Sequence, residues 1–135
     1  MKPKPTQKQV IGTLGEAIAS RFIINKGFTV VSRNYRKKFG EIDIIAKKSG
    51  KIHFVEVKTV SRENLKETAP ESGDGFRPED NVHPWKLKRL SRAIQVYLSE
   101  NKLEDEADWQ LDVVTVMLDV KNKVARVKML EDIIL

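Results

Sequence analysis

The chain has 135 residues, of which 40% are hydrophobic and 33% are charged. This composition is typical of one globular domain and not of a disordered chain. No apolar run approaches the roughly 20 residues needed to span a bilayer, and the polar first ten residues contain no apolar signal core. We therefore expect a cytoplasmic protein with no membrane partner. The absence of cysteine excludes disulfides, thiolate zinc sites and cysteine nucleophiles.

The charge of the chain is unevenly distributed. The formal net charge is +6, but residues 61–84 contain six acidic and three basic residues, so the remainder carries +9. A basic body suits a polyanionic partner such as nucleic acid. Charge alone leaves a simple role in solubility equally open.

The first predicted element is a helix. Residues 1–9 are predicted to form a flexible tail, followed by a single domain over residues 10–135. Apolar residues at three- and four-residue steps predict a helix over 10–26, with Gly27 placed to end it. A second stripe, of small residues, should let this helix lie close to another backbone; it consists of Gly12, Gly15 and Ala19.

The rest of the chain alternates strands with one more helix. Strands are predicted over 28–33, 41–47 and 51–60, the last two as a hairpin around Ser49-Gly50. Residues 61–84 lack periodicity, which predicts a mobile acidic loop. A helix over 85–101 and strands over 111–118 and 124–130 complete the chain. The order α-β-β-β-α-β-β predicts an α/β fold with a mixed sheet of about five strands flanked by helices.

Charged residues interrupt two of these apolar strands. Glu56 and Lys58 share one strand face, and in-register pairing of the hairpin would place Asp43 near both. A charge on a central strand is costly unless it is paired or bound to a metal. A plain ion pair with Lys58 is the commoner meaning of an isolated E-x-K. The alternative is a site for a hard cation, Mg²⁺ or Mn²⁺, in which Lys58 orients or activates a water.

Glu16 is a candidate from the first helix. It lies one helical turn from Gly12 and one turn from Ala19, on the side where the helix can approach the sheet. A solvated helix glutamate is the commoner alternative.

Several short motifs occur in a specific order: G-x-x-G-E at 12–16, N-Y-R at 34–36, G-E-I-D at 40–43, V-E-V-K at 55–58, then Lys86 and D-V-V at 112–114. Together they resemble the YraN-like family of uncharacterised bacterial proteins. That family in turn resembles the archaeal Holliday-junction resolvases and the wider PD-(D/E)xK nuclease superfamily. The resemblance implies a restriction-endonuclease-like fold.

The resemblance also implies an activity and roles for the site residues. Asp43 matches the strand aspartate of the superfamily, Glu56 and Lys58 match its E-x-K, and Glu16 matches the helix glutamate of the resolvase branch. The implied activity is Mg²⁺-dependent hydrolysis of phosphodiester bonds in DNA, including branched or structured DNA. Asp43 and Glu56 would hold the metal, Glu16 would complete or tune the site, and Lys58 would position the attacking water. Because the resolvases are dimers, a homodimer is a further expectation.

Two departures from the family pattern keep other functions open. Val60 stands where family members usually have arginine, and Gln110-Leu111 stands where they usually have Arg-Phe. The missing arginines favour a nucleic-acid-binding protein of the same fold with little or no catalytic activity. A structural protein whose charged residues form an ion-pair cluster is the third hypothesis.

Two basic groups predict how nucleic acid docks. The predicted contacts are Lys86, Lys88 and Arg92 on the late helix, and Arg36 and Lys37 before the strand of Asp43. A solvated basic face is the alternative for either group alone. Because both groups flank one acidic site, we expect them to contact phosphates.

Overall fold

The computed structural model describes residues 3–61, 84–103 and 108–133. Its elements are α1 (Gln7–Asn25), β1 (Thr29–Lys37), β2 (Gly40–Lys48), β3 (Lys51–Ser61), α2 (Pro84–Glu100), β4 (Trp109–Asp119) and β5 (Val124–Leu130). The predicted order of elements and the predicted α/β fold class are confirmed. The predicted mobile loop at 61–84 lies, apart from its two end residues, outside the described residues. In the described part of the chain, no helix is both long and apolar enough to cross a membrane.

The five strands form one mixed sheet in the order β1-β2-β3-β4-β5. The β3–β4 pair is parallel and the other pairs are antiparallel. The predicted hairpin between β2 and β3 is confirmed: Lys48 pairs with Lys51, and the two turn residues, Ser49 and Gly50, have φ angles of 51° and 77°. Positive φ at both positions is the requirement of the tight turn that matches strand twist. The parallel β3–β4 pair needs a long crossover, in which α2 lies.

Helix α1 begins at Gln7, three residues earlier than predicted, because its start is capped. Gln9 N donates to Thr6 Oγ1 at 3.1 Å, and Thr6 N donates to Gln9 Oε1 at 2.9 Å. This reciprocal capping box satisfies backbone donors that the helix itself leaves unpaired. The last residue of the helix is Asn25, and Lys26 is its C-cap. Gly27 follows as predicted, with a φ of 94° that suits a residue without a β-carbon.

The sheet buries one apolar cluster under each helix. On the α1 side, Ala19 and Ile23 pack with valines of β3 and β4. On the α2 side, Leu90, Ile94 and Leu98 pack with isoleucines of β2 and with Phe54. The two clusters fix both helices against the sheet.

Glycines set how closely the helices approach the strands. A β-carbon at Gly15 would collide with the side chain of Thr59 on β3, and one at Gly40 would collide with the backbone carbonyl of Arg89 on α2. The predicted small-residue stripe of α1 is therefore a contact surface at Gly15 and at the fully buried Ala19. Gly12 differs, because a β-carbon there would have no atom within 4 Å.

We expect the two helical glycines to respond oppositely to alanine. Gly15→Ala should lower the free energy of unfolding by about 1–3 kcal/mol, because it overpacks the contact with Thr59. Gly12→Ala should raise it by about 0.5–1 kcal/mol, because alanine is the better helix former and meets no neighbour. Urea denaturation of both variants checks this. Equal stabilities would mean that α1 is not pressed against β3.

Candidate active site

Asp43 lies where the regular sheet is interrupted. The β2–β3 pairing ends at Ile44 opposite Val55, one residue short of Asp43. Ile42 and Ile44, although two residues apart, belong to the clusters on opposite faces of the sheet. On the neighbouring strand β1, Asn34 has a φ of 53°. The strand alternation is therefore broken at Asp43, and its side chain is free to turn toward β3.

The carboxylates of Asp43 and Glu56 are in hydrogen-bond contact. Asp43 Oδ2 also accepts a hydrogen bond of 2.8 Å from the backbone N–H of Val57. Glu56 is only 3% exposed. Its burial, and next the charge of Asp43, raise the pKa of Glu56 to about 8. Burial likewise raises the pKa of Asp43, although the Val57 N–H opposes the rise. Burial and mutual repulsion therefore favour one proton shared by the pair over two full negative charges.

Lys86 supplies the positive charge at this pair. Its Nζ contacts Glu56 Oε1 from the first turn of α2. Partial burial disfavours the ammonium, but the carboxylates, led by Glu56, outweigh it and raise the pKa of Lys86. Apart from this ion contact, Oε1 is buried without a hydrogen-bond partner among the described residues. The sequence suggested Lys86 only as a nucleic-acid contact, whereas the structure places it inside the site.

Glu16 approaches the pair from α1. It is half-buried, and burial, then the charge of Asp43, raise its pKa, while Arg33 opposes the rise. The side chain of Asn34 likewise lowers the pKa of Glu16. Sequence reasoning placed Asn34 in a motif without a role; its left-handed backbone, uncommon outside glycine, marks it as a constrained residue at the site.

An open pocket of about 650 Å³ lies in front of these residues. Its acidic lining is formed by Glu16, Glu41 and Asp43, and its basic lining by Lys8, Lys58 and Lys86. Lys58 is half-buried at the end of β3, as its predicted role would require. The structure thus brings Glu16, Asp43 and Lys58 to one pocket, with Glu56 directly behind Asp43.

The other residues predicted to contact nucleic acid differ in how close they lie to this pocket. Arg36 pairs with the pocket residue Glu41, with 3.2 Å between Nε and Oε2. Lys37 pairs instead with Glu100 at the far end of α2, with 3.1 Å between Nζ and Oε1. Lys88 and Arg92 are exposed on α2. Lys86 and Arg36 are therefore the members of the two basic groups that reach the site.

The residues present fit a hard divalent cation. Oxygen donors are the ligands that Mg²⁺ prefers, and one or two carboxylates commonly suffice for it. Asp43 and Glu56 meet this requirement. The buried Oε1 of Glu56 has no hydrogen-bond partner apart from its ion contact with Lys86, so a metal cation could take the place of that ammonium. Glu16 is too far away to bind the same ion directly together with Asp43 and Glu56. Among the described residues, no group of three potential ligands whose ligand atoms all lie within 4.8 Å of one another includes Glu16. A role for Glu16 in metal binding remains a prediction.

The described residues that do form such a trio are His53, Asp112 and Glu131. His53 Nδ1 donates to Asp112 Oδ2 at 2.6 Å, and Asp112 Oδ1 accepts from Gln110 Nε2 at 2.8 Å and from Asp132 N at 3.0 Å. The Asp112 carboxylate is therefore already hydrogen-bonded on both oxygens. It fastens the segment after β5 onto β4, which gives the D-V-V aspartate a structural role.

Comparison with known proteins agrees with the motifs. The model of a family described as "Uncharacterised protein family UPF0102" matches residues 15–116. A UPF0102 protein of Wolinella succinogenes is 39% identical over 92 residues, which are 68% of this chain and 73% of that protein. One of Caldicellulosiruptor bescii is 32% identical over 122 residues, 90% of this chain and 94% of that protein. One of Clostridium botulinum (strain Loch Maree) is 33% identical over 122 residues, 90% and 91% of the two chains.

The proton held by Glu56 predicts a pH dependence of stability. Folding raises the pKa of Glu56 from 4.5 to about 8. The stability that protonated Glu56 contributes is therefore fully present below pH 4.5 and is lost as the pH rises through about 8. Without divalent cations, the free energy of unfolding should fall across this window by up to about 1.4 kcal/mol per pH unit. Glu56→Gln, which keeps a neutral donor, should flatten the slope in urea titrations, and the exposed control Glu131→Gln should not. An unchanged slope in Glu56→Gln would contradict the shared proton.

Proposed function

The chain belongs to the UPF0102 family, and we propose that this member is a Mg²⁺-dependent endonuclease that hydrolyses phosphodiester bonds in DNA, including branched or structured DNA. The observation that carries the proposal is the contact between the half-buried carboxylate of Asp43 and the buried carboxylate of Glu56. Lys58 lines the pocket in front of them. Two carboxylates followed by a strand lysine are the arrangement expected of a PD-(D/E)xK nuclease.

Each residue of the site has a role in this proposal. Asp43 and Glu56 hold the cation, Mg²⁺ or Mn²⁺. When bound, the cation supplies a Lewis acid that polarises the scissile phosphate and stabilises the leaving oxygen. Lys58, with three N–H donors on a flexible stem, orients the attacking water. Glu16, whose pKa is lowered by Asn34 and raised by Asp43, tunes the charge of the site from α1.

Lys86 has two successive roles in the proposal. It balances Glu56 while the carboxylates have no other cation near them. If the carboxylates held a metal, the ammonium of Lys86 would be free to contact a phosphate of the substrate, which is the role its sequence position suggested. Its side chain is 40% exposed, so it can reach into the pocket without leaving α2.

A second candidate function is nucleic-acid binding with little or no cleavage. Val60 is half-buried and apolar, and Gln110 is committed to Asp112. Neither position therefore supplies the cation that family members usually have there. A site with fewer cations would bind the backbone yet stabilise the charge of the transition state less well.

The metal site can be tested without measuring activity. Titration calorimetry with Mn²⁺ at pH 7 should show binding by the natural chain and release of about one proton, because metal displaces the proton on Glu56. Asp43→Asn and Glu56→Gln should each weaken binding at least tenfold. The control Glu131→Gln should bind normally, because the His53 cluster is structural. Loss of binding only in the control would move the metal to that cluster and contradict the proposal.

Cleavage of fluorescently labelled DNA then separates the two candidate functions. With Mg²⁺, Lys58→Ala should lower the rate by about 10²–10⁴-fold, the range for a lost acid–base group, while its melting temperature and Mn²⁺ affinity stay unchanged. Lys51→Ala, a matched substitution at the other end of β3, should cleave normally. Metal and DNA binding by the natural chain without any turnover would favour the second candidate.

The exposed cations of α2 predict the salt dependence of DNA binding. The double variant Lys88→Ala, Arg92→Ala should bind all sequences more weakly and flatten the slope of log affinity against log salt by about 0.7–0.9 per lost phosphate contact. A matched control replaces Lys121 and Lys123 in the exposed β4–β5 turn. Fluorescence anisotropy at several salt concentrations gives the slope. The same slope in both double variants would show that this face of α2 is only solvated.

A further inference from the structure

The pocket extends well beyond the carboxylates. Its wall continues along the first two turns of α1, where Gln7, Lys8, Ile11 and Gly12 line it. Its volume of about 650 Å³ lies in the range of sites that enclose whole small molecules, about 300–1,000 Å³. One phosphate with its cation would fill only part of it. The region beside α1 has room for more of the substrate.

Gly12 is not explained by packing within the protein. Glycine inside a helix is destabilising, so it needs a reason. At Gly15 the reason is the contact with Thr59, but at Gly12 a β-carbon would meet no atom within 4 Å. Gly12 nevertheless lines the pocket. A side chain there would occupy pocket space, so the glycine keeps that space open.

Lys8, Gly12 and Glu16 form one row on α1. Residues four apart lie above one another on a helix, so the row spans about 12 Å along its axis. All three line the pocket, with the lysine at one end and the site carboxylate at the other. In the described part of the chain no carboxylate forms an ion pair with Lys8. The capping box already occupies donors of the helix end, so the lysine is the group available to an anion.

We infer that the first two turns of α1 form a subsite for a non-scissile phosphate of the nucleic-acid strand. Lys8 binds this phosphate, and Gly12 lets the sugar–phosphate chain lie against the helix between Lys8 and the carboxylates. The inference rests on the proposed function and adds the path of the strand, along α1 from Lys8 to Glu16. Because the contacts are to the backbone, they are independent of base sequence.

The test is binding of a labelled DNA oligonucleotide in EDTA, where cleavage cannot occur, followed by fluorescence anisotropy. Gly12→Leu should weaken binding at least tenfold. The matched control Ala17→Leu, at an exposed position of the same helix outside the pocket, should bind like the natural chain. Mn²⁺ affinity should be unchanged in both, since both variants keep Asp43 and Glu56.

Two further variants keep the test decisive if Gly12→Leu folds poorly. Gly12→Ala should raise the melting temperature by a few degrees and still weaken binding measurably. Lys8→Ala should flatten the salt slope by about 0.7–0.9, the value for one phosphate contact, whereas Lys121→Ala should not.

The outcomes separate this inference from the proposed function. DNA binding by the natural chain that Gly12→Ala, Gly12→Leu and Lys8→Ala leave unchanged would overturn the subsite while the metal site and cleavage stand. Absence of DNA binding by the natural chain would overturn the proposed function and the subsite together. Weaker binding in these variants, with normal binding in Ala17→Leu, supports the subsite.

Discussion

The contact between Asp43 and Glu56 is the constraint on which the rest of the site depends. Two carboxylates cannot both stay charged in contact and out of water without compensation. The protein compensates with a shared proton, with the Val57 N–H and with the ammonium of Lys86. Each of these three groups stabilises the carboxylate charge less than a divalent cation at the same position would. The arrangement is therefore more costly to the folded protein than an apolar pair would be, which is typical of a site kept for function.

Helices α1 and α2 both reach the Asp43–Glu56 pair because glycines let the helix backbones lie close to the strands. Gly15 lets α1 lie on Thr59, which brings the adjacent Glu16 to the pocket. Gly40 lets β2 approach the carbonyl of Arg89, which brings the first turn of α2, and with it Lys86, to Glu56. The site is assembled from both faces of the sheet at the point where β2 and β3 separate.

Local patterns were sufficient for most of the fold. The turn residues Ser49 and Gly50, the strand alternation and the helix-ending Gly27 predicted their elements correctly, because each acts through its own backbone. Strand β1 was predicted too short. Its last residues are held by tertiary contacts: Tyr35 makes an edge-to-face contact with Tyr97, with 5.4 Å between ring centroids, and the Tyr35 hydroxyl donates to Glu100 at 2.6 Å. Such contacts between distant residues leave no periodic signal in a sequence.

The same distinction explains what was missed at the site. The nearness of Asp43 and Glu56 was predicted from in-register pairing, but the pairing stops one residue before Asp43, and side chains bridge the remaining gap. The Lys86–Glu56 contact joins residues far apart in sequence, so spacing could not predict it. On the proposed function, that contact has a consequence. If a bound cation took the place of Lys86 at Glu56, the ammonium would be free for a phosphate, and metal and nucleic acid would then each raise the affinity of the other, as linkage requires.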